Sequence, residues 1–152
     1  PEITPNVRTP GVRRVDLAAE DAARNVRAVV EAQMMALANH SRWMGVEVDV
    51  IHATGGAAVN TDILQVLADV FEAKVRRFKV TNSACLGAAL RAYHAEATAN
   101  GSGLSWEKVV DGIAVPVTES PIMPKQSSVK TYTRLRRRYA KLEPLAISGC
   151  SD

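Results

Sequence analysis

Ten residues constrain the fold of this chain more than any others. Ile51-His52-Ala53-Thr54-Gly55-Gly56-Ala57-Ala58-Val59-Asn60 joins an apolar segment to a helix-favouring one through paired glycines. Upstream, Val46-Glu47-Val48-Asp49-Val50-Ile51 alternates and is rich in β-branched residues, which predicts a strand running into the glycine turn. Downstream, Thr61 to Ala73 carries Ile63, Leu64, Leu67, Ala68 and Phe71 on one face and predicts a helix, with Asp62 and Gln65 at capping-box spacing. A turn without side chains between a strand and a helix N-terminus lets the backbone approach a phosphate or ribose closely. It equally suits a ligand-free turn in which glycine only relieves strain. Two neighbours favour a nucleotide: the Asn60 amide can reach a ribose or base, and Ala57-Ala58 add no bulk to the approach. The segment has neither the Gly-Lys-Ser/Thr ending of a P-loop nor the Rossmann glycine triplet, so a different nucleotide-binding fold is required.

The rest of the chain is read around that unit. Pro1 to Val15 holds three prolines and Gly11 without periodicity and is expected to be a lead-in. From a candidate N-cap at Asp16 to Met44 one long helix is predicted, with Val26, Val29, Val30, Gln33, Met34 and Leu37 at three- and four-residue steps and Gly45 ending it. Lys74 to Val80 predicts a second strand with an apolar and a basic side, the basic side being a solvated face or an edge. Thr81-Asn82-Ser83 can cap a helix from about Ala84 to Ala99, whose small Ala84, Gly87, Ala88, Ala89 and Ala92 would permit close packing on a sheet. Asn100-Gly101-Ser102-Gly103 ends it. A short helix over Trp106–Ile113, a loop over Pro116–Pro124, and a last helix from Ser127 or Ser128 to about Leu142, stopped by Pro144, complete the pattern. Residues 1–15 are thus expected as lead-in, 16–143 as the domain and 144–152 as a tail.

Composition excludes several classes. No apolar stretch approaches the roughly 20 residues of a membrane-spanning helix, and Pro1 is followed by no charged-then-apolar leader, so a soluble, cytoplasmic piece of something longer is expected. Cys85 and Cys150 make neither a disulfide framework nor a metal-ligand pair, and Cys85, inside an apolar run, is expected to be a small buried residue. His40, His52 and His94 lack partners at zinc-binding spacing, and no Ser, His and acid set suggests a triad, so no metal and no catalytic residue is assigned. The net charge of +3 owes much to Arg134, Arg136, Arg137, Arg138 and Lys141. The charged outer face of a terminal helix explains these better than a nucleic-acid surface, since no aromatic residues are interleaved for base stacking.

In order along the chain, these segments resemble one family. Glu2-Ile3-Thr4-Pro5, Arg27-Ala28-Val29-Val30-Glu31-Ala32, Thr54-Gly55-Gly56-Ala57 with Asn60, Leu64-Gln65-Val66-Leu67-Ala68-Asp69-Val70-Phe71 and Ser83-Ala84-Cys85-Leu86-Gly87-Ala88-Ala89 are similar to the C-terminal domain of FGGY carbohydrate kinases. Thr54 and Ala32 stand where many relatives have glycine, and the last thirty-odd residues match least. The resemblance implies an α/β, actin-like (ribonuclease H-like) ATPase fold, with this chain as the C-terminal lobe. It implies that Gly55, Gly56 and Ala57 lie against the ribose and α-phosphate of ATP, that Asn60 contacts the nucleoside, and that Gln65 and Asp69 are structural. It also implies that the sugar pocket, the general base and the Mg2+ ligands belong to an N-terminal lobe, so that this chain alone is inactive.

The expected function is therefore the ATP-binding lobe of a kinase that phosphorylates a ketopentose of the xylulose type. Its partners would be ATP or ADP and, through the other lobe, the sugar, with no nucleic acid and no membrane; a homodimer is left open. The alternative is a stand-alone actin-like domain that binds a nucleotide or a protein as a regulator. A nucleic-acid module using Arg136-Arg137-Arg138 ranks last, and steeply salt-dependent binding would mark it.

Overall fold

β-Branched and small residues place the sheet, and α2 is laid across it. In a computed structural model, which describes residues 11–78, 80, 82–113, 115 and 120–148, two strands pair in parallel: β1 (Val50–Ala53) and β2 (Lys74–Arg77). The register sets Val50 against Lys74, Ile51 against Val75, His52 against Arg76 and Ala53 against Arg77. The crossover between them is α2 (Thr61–Phe71). Around this unit lie α1 (Ala22–His40), α3 (Ser83–Ala99), α4 (Trp106–Val110) and α5 (Gln126–Ser148). Ile122 exchanges two backbone hydrogen bonds of 2.9 Å with Val75, an antiparallel bridge that puts β2 between β1 and this short segment.

The central helix is α2. Its Leu64, Leu67 and Ala68 pack with Val75, Ile51, Ala53 and Ile122 against the sheet, and Val66 and Val70 face Met35, Ala38, Tyr132 and Leu135 from α1 and α5. Two apolar clusters on opposite sides of one helix explain why its apolar residues outnumber those of a one-sided amphipathic stripe. Asp69 is buried and accepts from the Lys125 N–H at 2.7 Å and from Gln65 Nε2 at 2.9 Å, and Gln65 also donates to the Met123 carbonyl at 3.0 Å. Both side chains thus pin the 123–125 connection to α2, and the buried carboxylate has donors from both segments.

Polar clasps join α1 to α5. Tyr132 donates to Glu31 Oε1 at 2.8 Å, and the same carboxylate oxygen accepts from Arg27 Nε at 2.7 Å. Burial, followed by the Glu31 carboxylate, pushes the Tyr132 hydroxyl up to about 12. At the other end His40 Nε2 lies 2.8 Å from Glu143 Oε2. Between them Arg136 donates to the Val70 carbonyl at 3.1 Å, the Asn39 side chain at 3.3 Å and the Ala38 carbonyl at 3.5 Å. Those carbonyls belong to the last turns of α1 and α2, where the helices leave C=O groups unsatisfied and favour a cation. Burial lowers the Arg136 pKa, with the Arg42 charge adding to it.

Several sequence expectations move. The long helix starts at Ala22, not near Asp16: Asp21 is the N-cap, accepting from the Arg24 N–H at 3.0 Å, and Asp16, at φ 56°, pairs with Arg138 at 2.8 Å. It ends at His40, and Gly45, at φ 66°, closes a separate 3-10 turn over Arg42–Met44. Of its expected face, Val26, Val29 and Leu37 are exposed, because α1 is apolar on two sides and packing selects the side with Met35 and Ala38. The first strand covers only Val50–Ala53, and Val46 lies exposed before it. β2 ends at Arg77, short of the expected Val80, and residue 79 of that stretch lies outside the described residues.

No capping box forms at Asp62 and Gln65, since Asn60 takes the cap. The fourth helix stops at Val110 rather than Ile113. Residues 116–119 of the expected loop lie outside the described residues, as do residues 1–10 of the lead-in and Cys150. The last helix begins at Gln126 and continues through Pro144 to Ser148: a proline forfeits one backbone bond and strains a helix without necessarily ending it. Among the described residues no helix is long and apolar enough to cross a membrane.

Candidate functional site

At the carboxyl end of β1 the chain leaves Ala53, passes Thr54 and turns at Gly55. Gly55 sits at φ 84°, ψ −174°, a region open essentially to glycine alone. Gly56 then opens a 3-10 turn through Val59, closed by Ala58 N–H to Gly55 O and Asn60 N–H to Ala57 O, both 3.1 Å. Ala58 is the buried foot of this turn, whereas Gly56, Ala57, Val59 and Asn60 are exposed.

The two glycines are present for different reasons. Gly55 is required by its backbone. Gly56 is absent from the positive-φ residues, and a Cβ built on it meets no heavy atom within 4 Å. Neither local conformation nor packing within the chain calls for glycine at 56, and the space in front of it is open.

Asn60 has structural work of its own. Its Oδ1 accepts from the Asp62 N–H at 3.0 Å and the Ile63 N–H at 3.2 Å, making it the N-cap of α2. The amide Nδ2 takes no part in that cap. The structure therefore gathers Gly55, Gly56, Ala57 and Asn60 into one exposed turn at the N-terminus of a buried helix.

A second helix N-terminus follows β2. Asn82 caps α3 by accepting from the Cys85 N–H at 3.1 Å, and Ser83 Oγ lies 2.8 Å from Thr54 Oγ1, linking the start of α3 to the turn after β1. The sequence gives no sign of this pair, which is 29 residues apart; only parallel pairing of β1 and β2 brings it together. Cys85 is an exposed free thiol rather than a buried one, and no residue of α3 is buried. The expected packing of α3 on the sheet is not found: its principal neighbour is α4, through stacking of His94 on Trp106 at 4.1 Å.

Other features do not compete with this turn. A cavity of about 410 Å3 is lined by Lys130, Thr133, Arg134, Arg137, Arg138 and Lys141, all from α5, so it is a gap between side chains of one helix. The expected run Arg136-Arg137-Arg138 is divided, with Arg136 turned inward and its neighbours outward. His52 meets the Phe78 ring edge at 4.8 Å, and His40 pairs with Glu143. Among the described residues no three His, Cys, Asp or Glu side chains come together to hold a metal.

A parallel strand, a glycine turn and a capped helix, with open space at the strand's carboxyl end, define an α/β domain of the mixed helix-and-sheet class. Residues 13–96 match the family model for the FGGY family of carbohydrate kinases, C-terminal domain. The chain belongs to that family, and its fold is that of the C-terminal domain of these actin-like kinases. It is 43% identical over 126 residues to the xylulose kinase of Rattus norvegicus, a match covering 81% of this chain and 23% of that protein. Xylulose kinase 2 of Arabidopsis thaliana is 35% identical over 86 residues, 55% of this chain and 15% of that protein. The crystal structure of xylulose kinase from Rhodospirillum rubrum superposes with a TM-score of 0.65 at 25% identity, covering 87% of this chain and 27% of the other. Gluconate kinase from Lactobacillus acidophilus, at 22% identity and TM-score 0.63 over 82% of this chain and 25% of the other, shares the fold. The chain thus spans about a quarter of the length of the xylulose kinase from rat.

Proposed function

We propose that this chain is the nucleotide-gripping part of an ATP-dependent sugar kinase whose acceptor is a ketopentose of the xylulose type. The observation that carries the reading is Gly56: a glycine demanded by neither φ nor packing, facing open space at the carboxyl end of a parallel strand. A phosphate or ribose approaching the backbone there would meet no side chain. Gly55 shapes the turn, Gly56 and Ala57 leave room for the ligand, and Asn60 caps α2 through Oδ1 while its amide Nδ2 serves the nucleoside. The resemblance to xylulose kinases supports the choice of sugar; no residue described here selects it.

Phosphoryl transfer needs the attacking hydroxyl, the metal and the γ-phosphate positioned together. In this reading the general base, the sugar pocket and the Mg2+ ligands lie in the N-terminal lobe, the isolated chain is inactive, and the enzyme works in the cytoplasm. The test is Gly56→Asp in the full-length kinase, which places bulk and negative charge beside the phosphates. ATP affinity is expected to fall at least tenfold, with the sugar KM unchanged. Unchanged ATP affinity refutes the assignment.

A further inference from the structure

Thr54 immediately precedes Gly55, Ser83 is the first residue of α3, and their hydroxyl oxygens lie 2.8 Å apart. In a parallel α/β unit the ligand crevice lies outside the carboxyl ends of the strands. Here the turn after β1 and the first turn of α3 both follow strand carboxyl ends, and this bond joins them. Burial does not hold α3 in place. None of its residues is buried, and its principal packing partner is the short α4. The chain leaving β2 is tied to β1 as far as Phe78, by a 3.4 Å backbone bond to the Ala53 carbonyl and by the ring contact with His52.

We propose, building on the nucleotide reading above, that Thr54 and Ser83 form a hydroxyl clasp that sets the first turn of α3 against the Gly55-Gly56 turn. The clasp thereby sizes the crevice for the phosphates of a nucleotide. Both are positioning residues. The first-turn N–H groups of α3 and the positive end of its dipole face anions best when the helix axis is held in one direction. Either hydroxyl can donate to the other, so each can also accept from a further donor without breaking the clasp. A binding-competent geometry populated only part of the time weakens apparent affinity by that fraction and leaves the chemical step of the bound complex intact. Loss of the clasp should therefore appear in the ATP KM and not in kcat.

The experiment compares Thr54→Val, Ser83→Ala, the double variant and Thr54→Ser in the full-length kinase, with Gly56→Asp alongside. Valine keeps the shape of threonine and removes only the hydroxyl role. Each single variant is expected to raise the ATP KM about three- to tenfold, the range for one net hydrogen bond. The kcat, the sugar KM and the thermal midpoint should stay unchanged. The double variant should lose no more than either single one, because the two hydroxyls act as a unit. Thr54→Ser, which keeps the hydroxyl, should restore the parent value. An unchanged ATP KM in the single variants, or losses that multiply in the double variant, overturns the clasp while a damaged Gly56→Asp leaves the nucleotide reading standing. Unchanged ATP affinity in Gly56→Asp removes both.

Discussion

Replacing Gly55 and Gly56 one at a time by alanine separates a glycine needed for the backbone from one kept for a ligand. At φ 84°, ψ −174°, Gly55 lies where a Cβ is strongly disfavoured, and holding alanine there costs about 1–3 kcal/mol. No packing adds to that cost, since a Cβ at 55 meets no heavy atom within 4 Å. The backbone of Gly56 is not at positive φ, and its Cβ position is equally open. Alanine at 56 only restricts the unfolded chain, which stabilises by about 0.4–1 kcal/mol. The same restriction of the unfolded chain applies at 55 and cancels between the two variants, which should therefore differ by the strain alone, roughly 1–3 kcal/mol. Equilibrium urea unfolding followed by far-ultraviolet circular dichroism measures this as a difference in midpoint at constant m. Gly55→Ala should lie below the parent chain and Gly56→Ala at or above it. ATP affinity of the full-length Gly56→Ala protein should nevertheless fall. Equal destabilisation by the two variants, or the reverse order, refutes the division of roles.

Arg136→Met keeps the aliphatic stem but strips three donors from the ends of α1 and α2, and should cost about 2 kcal/mol in urea unfolding, whereas the outward Arg137→Met should stay within about 0.5 kcal/mol. An equal effect of the two would mean that Arg136 is not the clamp. Tyr132 and Tyr139 are both pushed up to about 12, chiefly by burial, with Glu31 and Glu143 contributing. A hydroxyl whose folded pKa lies above its unfolded value gives stability that is fully present below pH 10 and lost as pH rises toward 12. Unfolding free energy should fall over that window, and less steeply in Tyr132→Phe. The same slope in both proteins would assign the fall to other groups.

The strand, glycine turn and following helix are legible because their signals are local: β-branched residues before the turn, a glycine at an obligatory positive φ, and an apolar run at helical spacing after it. Even there one role was hidden. Asn60 looks like a ligand contact in the sequence and is also the cap of α2, and no spacing rule distinguishes an amide that serves a nucleoside from one that serves two backbone N–H groups. The candidate nucleotide turn was legible as a segment, Gly55 to Asn60, but the separate reasons for its two glycines needed φ angles and the space around each Cβ.

Sequence alone determines the order of elements here and the resemblance to FGGY kinases. Those properties depend on residues within a few positions of one another or on an ordered series of motifs. Tertiary structure decides what depends on partners brought from afar. It chooses Met35 and Ala38 over Val26 and Val29 as the inward side of α1, because both sides are apolar and only contact with α2 and α5 breaks the tie. It turns Arg136 toward two helix ends and leaves Arg137 and Arg138 outside, since successive helical residues point about 100° apart and the neighbouring carbonyls reward only one of them. It also leaves Cys85 exposed on a helix without buried residues, and it sets Thr54 beside Ser83 across 29 residues. Local chemistry writes the elements, but a hydrogen bond or a buried face exists only once the chain has folded two distant segments into the same few ångströms.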